Sequence, residues 1–177
     1  VLMVDRDIES KFGGLAREAF GGMALCSTPQ QKFNGIADSP ELMFRDWTTF
    51  GEMPKDDKWP MKWAEMYAYR NYEDIYCWLR QRNVKFFPAV NWVERGDFIA
   101  GNSVPRYHIV WGTGWELVEV LIDHLKNHRN ARKLRLLFEH FVSGFDMEGG
   151  VLTGCHGVNE SSNTDFVIKA DSFIGAT

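Results

Sequence analysis

Residues 1–5 read Val-Leu-Met-Val-Asp, four apolar side chains closed by an acid. A short uninterrupted apolar run suits a strand buried on both faces, as in a parallel α/β sheet, and not the alternation of a half-buried antiparallel strand. In a dinucleotide-binding βαβ unit, an acid that closes the second strand hydrogen-bonds ribose hydroxyls. It follows the phosphate-binding glycines by about 20 residues. Counting back from Asp5 puts those glycines ahead of Val1. The chain also stops within an apolar run, Phe173-Ile174-Gly175-Ala176 before Thr177, whereas domain ends are ordinarily polar. Both ends predict a piece of something larger.

Beyond Asp5, residues 6–28 carry Gly13-Gly14 and Gly21-Gly22 and keep no helical or strand period, which predicts a long functional loop. Thr28-Pro29 and Ser39-Pro40 each place a small polar residue before a proline, the signature of a helix start. They predict helices over 29–36 and 40–50. Residues 60–82 form the strongest helical pattern, with Trp63, Met66, Tyr67, Ile75, Trp78 and Leu79 expected on one core-facing stripe. Val84–Val93 reads as strand-like, Gly96–Pro105 as a loop, Trp115–His128 as a helix and Leu134–Phe138 as a strand. Phe141–Met147 and Val151–Gly157 flank Gly149-Gly150, a hairpin signal. Phe166–Ile168 and Ala170–Ala176 read as further strands. The ends are thus α/β in character, and a helical, aromatic-rich stretch over 29–100 reads as an insertion.

Composition narrows the function. The 177 residues are 45% hydrophobic and 25% charged, which excludes a disordered or low-complexity chain. A net charge of −4 leaves no basic field to hold nucleic acid or an anionic membrane. No apolar run reaches the ~18–20 residues of a spanning helix. Cys26, Cys77 and Cys155 are odd in number and isolated, without metal-ligand spacing. They predict buried thiols in a reducing, cytoplasmic setting and no metal site.

Three sets of residues carry candidate chemistry. Asp5 is the first. The two glycine pairs are the second, because glycine lets the backbone approach a ligand and turn its N–H groups toward phosphate. The third lies in Gly101–Gly114, GNSVPRYHIVWGTG, where Arg106 and His108 fall on one side of an extended segment ahead of Gly112-Thr113-Gly114. A cation, an imidazole and free N–H groups of a helix start would converge there on an anion or a carbonyl oxygen. The tryptophans of the central helix read more simply as core than as a stacking platform, and the basic run 126–135 as a solvated face.

Taken in order, the opening strand and acid, the GG and FGG loop, WPMKWAEMY, VKFFPAVNWVERG, GNSVPRYHIVWGTG and ADSFIGAT resemble a known family. They are similar to the FAD-binding dehydrogenases of the succinate dehydrogenase/fumarate reductase flavoprotein superfamily. The nearest group is the predicted oxidoreductases distantly similar to 3-ketosteroid dehydrogenases. The resemblance covers nearly the whole chain. It implies an α/β fold: a Rossmann-like FAD-binding domain, here residues 1–28 and 101–177, with a helical substrate-capping insertion at 29–100. It implies FAD as cofactor, a small organic substrate, and hydride transfer to or from flavin. By position, Asp5 would bind the adenosine ribose, and Gly13, Gly14, Leu15, Ala19, Gly21 and Gly22 would line the pyrophosphate and flavin. The backbone of Val142 would meet adenine. Ala176 and Thr177 would belong to a turn that returns to the cofactor. Arg106, His108, Thr113 and Gly114 would lie beside the flavin ring, and as the catalytic pair His108 would give or take a proton near the substrate while Arg106 orients an oxygen. The chain departs from the pattern in lacking G-x-G-x-x-G, in carrying Ala19 where relatives often have Ser, and in ending before the family's later catalytic groups. The other readings are a non-catalytic aromatic-rich binding module and an inactive truncated product.

Overall fold

The structure, a computed structural model, describes residues 1–54 and 56–176. In chain order the elements are β1 (Leu2–Val4), β2 (Gly22–Ala24), α1 (Pro29–Phe33), α2 (Pro40–Phe50), α3 (Lys58–Arg70), α4 (Trp78–Gln81), β3 (Tyr107–Ile109), α5 (Thr113–Lys126), β4 (Arg135–Leu137), β5 (His140–Glu148), β6 (Val151–Asn159) and β7 (Thr164–Lys169). They form two compact units. One is Leu15–Leu125, and the other joins Val1–Gly14 to the segment from Lys126 on.

In the second of these, β1 pairs in parallel with β4, Leu2 opposite Arg135 and Val4 opposite Leu137. The parallel strand expected of Val1–Val4 is present, but its burial on both faces is not. Val1, Leu2 and Met3 are exposed, because β4 is the only strand beside β1 among the described residues. The expected hairpin forms as β5–β6 and is extended by β7 into an antiparallel meander. Gly149 and Gly150, at φ 57° and 81°, both lie in the left-handed region that a tight two-residue hairpin turn requires. Ala170–Ala176, expected as a strand, is irregular, with no partner strand among the described residues.

In Leu15–Leu125 the expected long loop contains a strand, β2, antiparallel to β3 with Met23 opposite His108. Both proline-marked helix starts hold. The Thr28 hydroxyl accepts from Gln31 N and the Gln31 side chain accepts from Thr28 N, a reciprocal cap, while Ser39 accepts from Leu42 N. α1 ends at Phe33, short of the expected 36, where Gly35 turns left-handed. The helix expected over 60–82 begins at Lys58 and is wound as π-helix over Asn71–Cys77 before α4.

The expected stripe is only partly the buried one: Leu79 is in the core and Tyr67 and Ile75 pack against buried clusters, but Trp63, Met66 and Trp78 are exposed. Ala64, Ala68, Asn71 and Tyr76 are buried as well. Small alanines let neighbouring segments approach: Ala68 packs with Cys26 and Met43 of α2 in one cluster. The wider π turn then rotates the buried face and delivers Tyr76 and Leu79 to the main core with Leu25, Val84, Phe86 and Val110. Val84–Val93 makes only two isolated bridges, Phe86 to Val110 and Asn91 to Tyr107, with Pro88 between them unable to donate to a ladder. Among the described residues no helix is long and apolar enough to cross a membrane, and no group of His, Cys, Asp and Glu could hold a metal ion.

Leu25 is completely buried at the centre of this core. Leu25→Ala is expected to lower unfolding free energy by about 2–5 kcal/mol, read as a shift of the urea midpoint with unchanged slope.

Candidate cofactor-binding site

The β1–β4 ladder runs one residue past β1. Asp5 N–H donates to Leu137 O at 2.8 Å, and His140 N–H donates to Asp5 O at 3.0 Å. This holds Asp5 at the C-terminal edge of a parallel strand, where open α/β sheets bind ligands. One carboxylate oxygen, Oδ1, accepts from Asp7 N–H at 2.9 Å, and Oδ2 accepts no hydrogen bond among the described residues. The His140 bond also ties Asp5 to the start of β5, two residues before Val142. Phe12 stacks edge-on against Phe138 at 5.3 Å, which anchors the chain entering Gly13-Gly14 to the same corner. Gly13 and Gly14 have φ 101° and 51°, and nothing lies within 4 Å of where a Gly14 side chain would begin. One compact unit therefore gathers Asp5, the first glycine pair and Val142. Ala176 lies in the exposed, irregular end, and Thr177 lies outside the described residues.

The second glycine pair works differently. Its close approaches are to protein. A Cβ on Gly21 would fall 2.7 Å from the Thr113 and Gly114 backbone, and one on Gly22 would overlap the Tyr107 ring at 1.9 Å. Gly114 is equally constrained, with Ala16 O 2.1 Å from its would-be Cβ. Glycines here let the loop lie directly on the start of α5. That packing consumes the helix start: Gly114 N–H donates to Ala19 O at 2.9 Å, and Thr113 N–H to Val110 O at 2.9 Å. Thr113 has φ 63°, a strained conformation for a β-branched residue. Leu15, 86% exposed, and Ala19 lie on the open side of the loop.

Arg106 and His108 do share one side of β3, as their spacing predicts, yet they do not form the expected open anion site. Both are 0% exposed. Arg106 donates from Nη2 to Asp38 Oδ1 at 2.7 Å and from Nε to Asp38 Oδ2 at 2.8 Å. Its Nη1 donates to Asp46 Oδ2 at 2.7 Å and to Asn102 Oδ1 at 2.9 Å. Ser103 N–H and Oγ cap the same Asp46 carboxylate, and Gln31 Nε2 reaches Asp38. His108 Nδ1 lies 2.7 Å from Arg106 O, which can only accept, so Nδ1 carries the proton. Burial disfavours a second proton on the ring, so Nε2 accepts from the Thr28 hydroxyl at 2.7 Å, while Thr28 Oγ1 accepts from Gln31 N. The imidazole is neutral with both nitrogens occupied. An arginine in a buried strand must find carboxylates, and these outcompete any ligand. No buried side-chain N or O among the described residues lacks a partner, so this cluster aims no open valence at a ligand.

The family model described as the FAD binding domain matches residues 7–177. The chain belongs to this family. A KsdD-like steroid dehydrogenase of Mycobacterium tuberculosis is 40% identical over 162 residues, 89% of this chain and 28% of its own length. Another, from Mycolicibacterium smegmatis, is 38% identical over 168 residues, 92% of this chain and 30% of its own. The chain thus spans less than a third of the curated relatives it matches. Among solved structures, the open conformation of a flavocytochrome c3 fumarate reductase aligns with TM-score 0.69 at 17% identity, over 97% of this chain and 32% of that one. Mycobacterium smegmatis Sdh1 in complex with UQ1 aligns with TM-score 0.72 at 20% identity, over 96% and 28%. The α/β fold and FAD as cofactor, both expected from the sequence, hold.

The residues around Asp5, which lies just ahead of the match, fit a dinucleotide: a carboxylate oxygen that accepts no hydrogen bond among the described residues, and glycine backbone with open space beside it. Asp38 and Asp46, partners of Arg106 from 60 to 68 residues away, were invisible to local pattern. The one sequence signal for them is a charge inside the apolar run around β3, which demands counter-charges somewhere.

Acid destabilises this cluster through two groups. Burial pushes His108 below its ordinary value of 6.5, against the pull of the Arg106 carbonyl and the Asp38 charge. Burial opposes ionised Asp46, but Ser103 and Arg106 outweigh it and hold the carboxyl below the usual range. In both cases the unfolded chain binds protons more readily. The stability from His108 is complete above pH 6.5 and declines below it, and that from Asp46 is lost further down, through the carboxylate range. Urea midpoints are expected to fall steadily from pH 7 to pH 4, with the upper part of the fall missing in His108→Gln.

Proposed function

We propose that this chain is the FAD-holding portion of an FAD-dependent oxidoreductase of the dehydrogenase type. The carrying observation is the FAD-binding family match together with Asp5, Gly13-Gly14 and Val142 gathered at the C-terminal edge of a parallel strand pair. Asp5 accepts from adenosine ribose hydroxyls through its open Oδ2. The Val142 backbone meets adenine, and the glycine loop with Leu15 and Ala19 faces the pyrophosphate and flavin. Bound FAD supplies a hydride acceptor at flavin N5. Residues 29–100 form the insertion that helps to enclose a small organic substrate. The names of the mycobacterial relatives make steroids the first substrate class to test. Three unpaired cysteines support a cytoplasmic setting.

The buried geometry supports a positioning role for Arg106 and His108, in place of the reacting pair expected from spacing. A neutral, enclosed imidazole orders α1 and β3 and moves no proton to substrate. In the parent enzyme, His108→Gln is expected to lower thermal stability while the pH profile of kcat keeps its shape. Loss of one limb of that profile would restore His108 as a reacting group.

All seven tryptophans are exposed, from 39% for Trp47 to 68% for Trp63, which favours the aromatic binding-module reading over a tryptophan core. Family membership outweighs it: such surfaces serve equally as contacts with the remaining two thirds of a relative-sized enzyme. The test is anaerobic. The parent enzyme, purified with FAD, is mixed with a 3-ketosteroid panel and a dicarboxylate panel. Bleaching of the flavin absorbance by one panel supports the dehydrogenase reading. Absence of any flavin in the purified parent overturns it. The 177-residue chain alone, lacking the glycine-rich turn G-x-G-x-x-G, is expected to bind FAD only weakly by fluorescence titration.

A further inference from the structure

The loop between Gly14 and Gly21 has almost no core of its own. Leu15 and Phe20 are exposed, and its only regular element is the 3-10 turn Gly14–Ala16. Its backbone makes two bonds to the segment around the start of α5, Gly114 N–H to Ala19 O and Val110 N–H to Gly21 O. One long side chain of the loop turns inward. Arg17 is only 13% exposed, its guanidinium carbon sits 4.3 Å from the centre of the Trp115 ring, and it pairs with Glu119. Trp115 and Glu119 are one helical turn apart on α5, so both contacts come from one helix face.

A lone arginine in a glycine loop invites assignment as a phosphate ligand. The geometry points elsewhere: we propose that Arg17 is a positioning residue that clamps residues 15–21 onto α5 and does not reach the cofactor's phosphates. A planar cation stacked on an indole and paired with a carboxylate of the same helix has two geometric constraints satisfied at once. The clamp fixes the loop backbone at the separation that Gly21 and Gly114 permit, where a Cβ on either would collide with the other segment. The part of this inference that concerns FAD rests on the reading that the loop faces the cofactor.

The parent enzyme carries the test, with Arg17→Gln, Glu119→Gln, the double variant and Arg17→Lys. Two readouts are used: amide hydrogen exchange of residues 15–21 without FAD, and FAD affinity by fluorescence titration. The clamp predicts faster exchange in both single variants, with the double variant no worse than either single. It also predicts FAD affinity reduced about tenfold in each, with partial recovery in Arg17→Lys, which keeps the charge and loses the stacked plane. A phosphate ligand predicts the opposite for Glu119→Gln, because freeing Arg17 would leave FAD affinity unchanged or tighter. That result, or unaltered exchange in Arg17→Gln, overturns the clamp. Faster exchange with unaltered FAD affinity in every variant overturns instead the placement of this loop against the cofactor.

Discussion

The structure depends on the backbone hydrogen bonds that frame the β1–β4 ladder. Arg135 N–H to Val1 O, Asp5 N–H to Leu137 O and His140 N–H to Asp5 O bring the first five residues against a segment more than 130 positions later. Without them β1 would be a stray apolar run. With them, Asp5 is held at the carboxyl end of a parallel pair, and the chain leaving β4 turns directly into the meander that carries Val142. Neither partner of a parallel pairing is local, so its formation carries the entropy of closing a long loop. The ion pairs Arg6–Glu160 and Lys126–Glu9 lie at the surface of the same unit and add little.

The Leu15–Leu125 unit is organised by a different constraint, a buried cation. One guanidinium faces two carboxylates, and the surplus negative charge is spread over donors from Ser103 and Gln31. Leaving any of these charges unpaired in the interior would be strongly destabilising, of the order of 3–5 kcal/mol, whereas the intact group contributes modestly to stability. Its larger effect is on arrangement. It ties α1, the start and middle of α2 and the loop ahead of β3 to one another, and through the Arg106 carbonyl it sets the tautomer of His108. That imidazole in turn receives the hydroxyl that caps α1. Chemistry that looked available on an open strand is used up in holding the strand's surroundings together.

Much of the local structure was legible in the sequence. Thr28-Pro29, Ser39-Pro40 and Gly149-Gly150 each act through their own backbone preferences, and each marks what the structure shows. The parallel character of Val1–Val4 was legible from its unbroken apolar run, although the burial on both faces that such a run suggests is absent. What escaped depends on distant partners. The buried stripe of α3 is made of alanines because α2 lies close, and the π turn that rotates it is not written in any periodicity. Strand β2 exists only because Tyr107–Ile109 pairs with it, and Ala170–Ala176 has strand composition without a partner. At the candidate site, the place of Asp5 at the end of a parallel strand was readable by position. The fate of Arg106, His108 and the N–H groups of Thr113 and Gly114 was not, because Asp38, Asp46, Thr28 and Ala19 had first to be brought to them.

The proposed contact between Asp5 and the adenosine half of FAD can be measured directly. Titrating the parent apoenzyme and its Asp5→Asn variant with FAD and with FMN, which lacks adenosine, isolates that contact. Loss of this charge-assisted bond is expected to weaken FAD affinity about tenfold and to leave FMN affinity unaltered. Equal weakening for both ligands, or no change for either, would contradict the proposal.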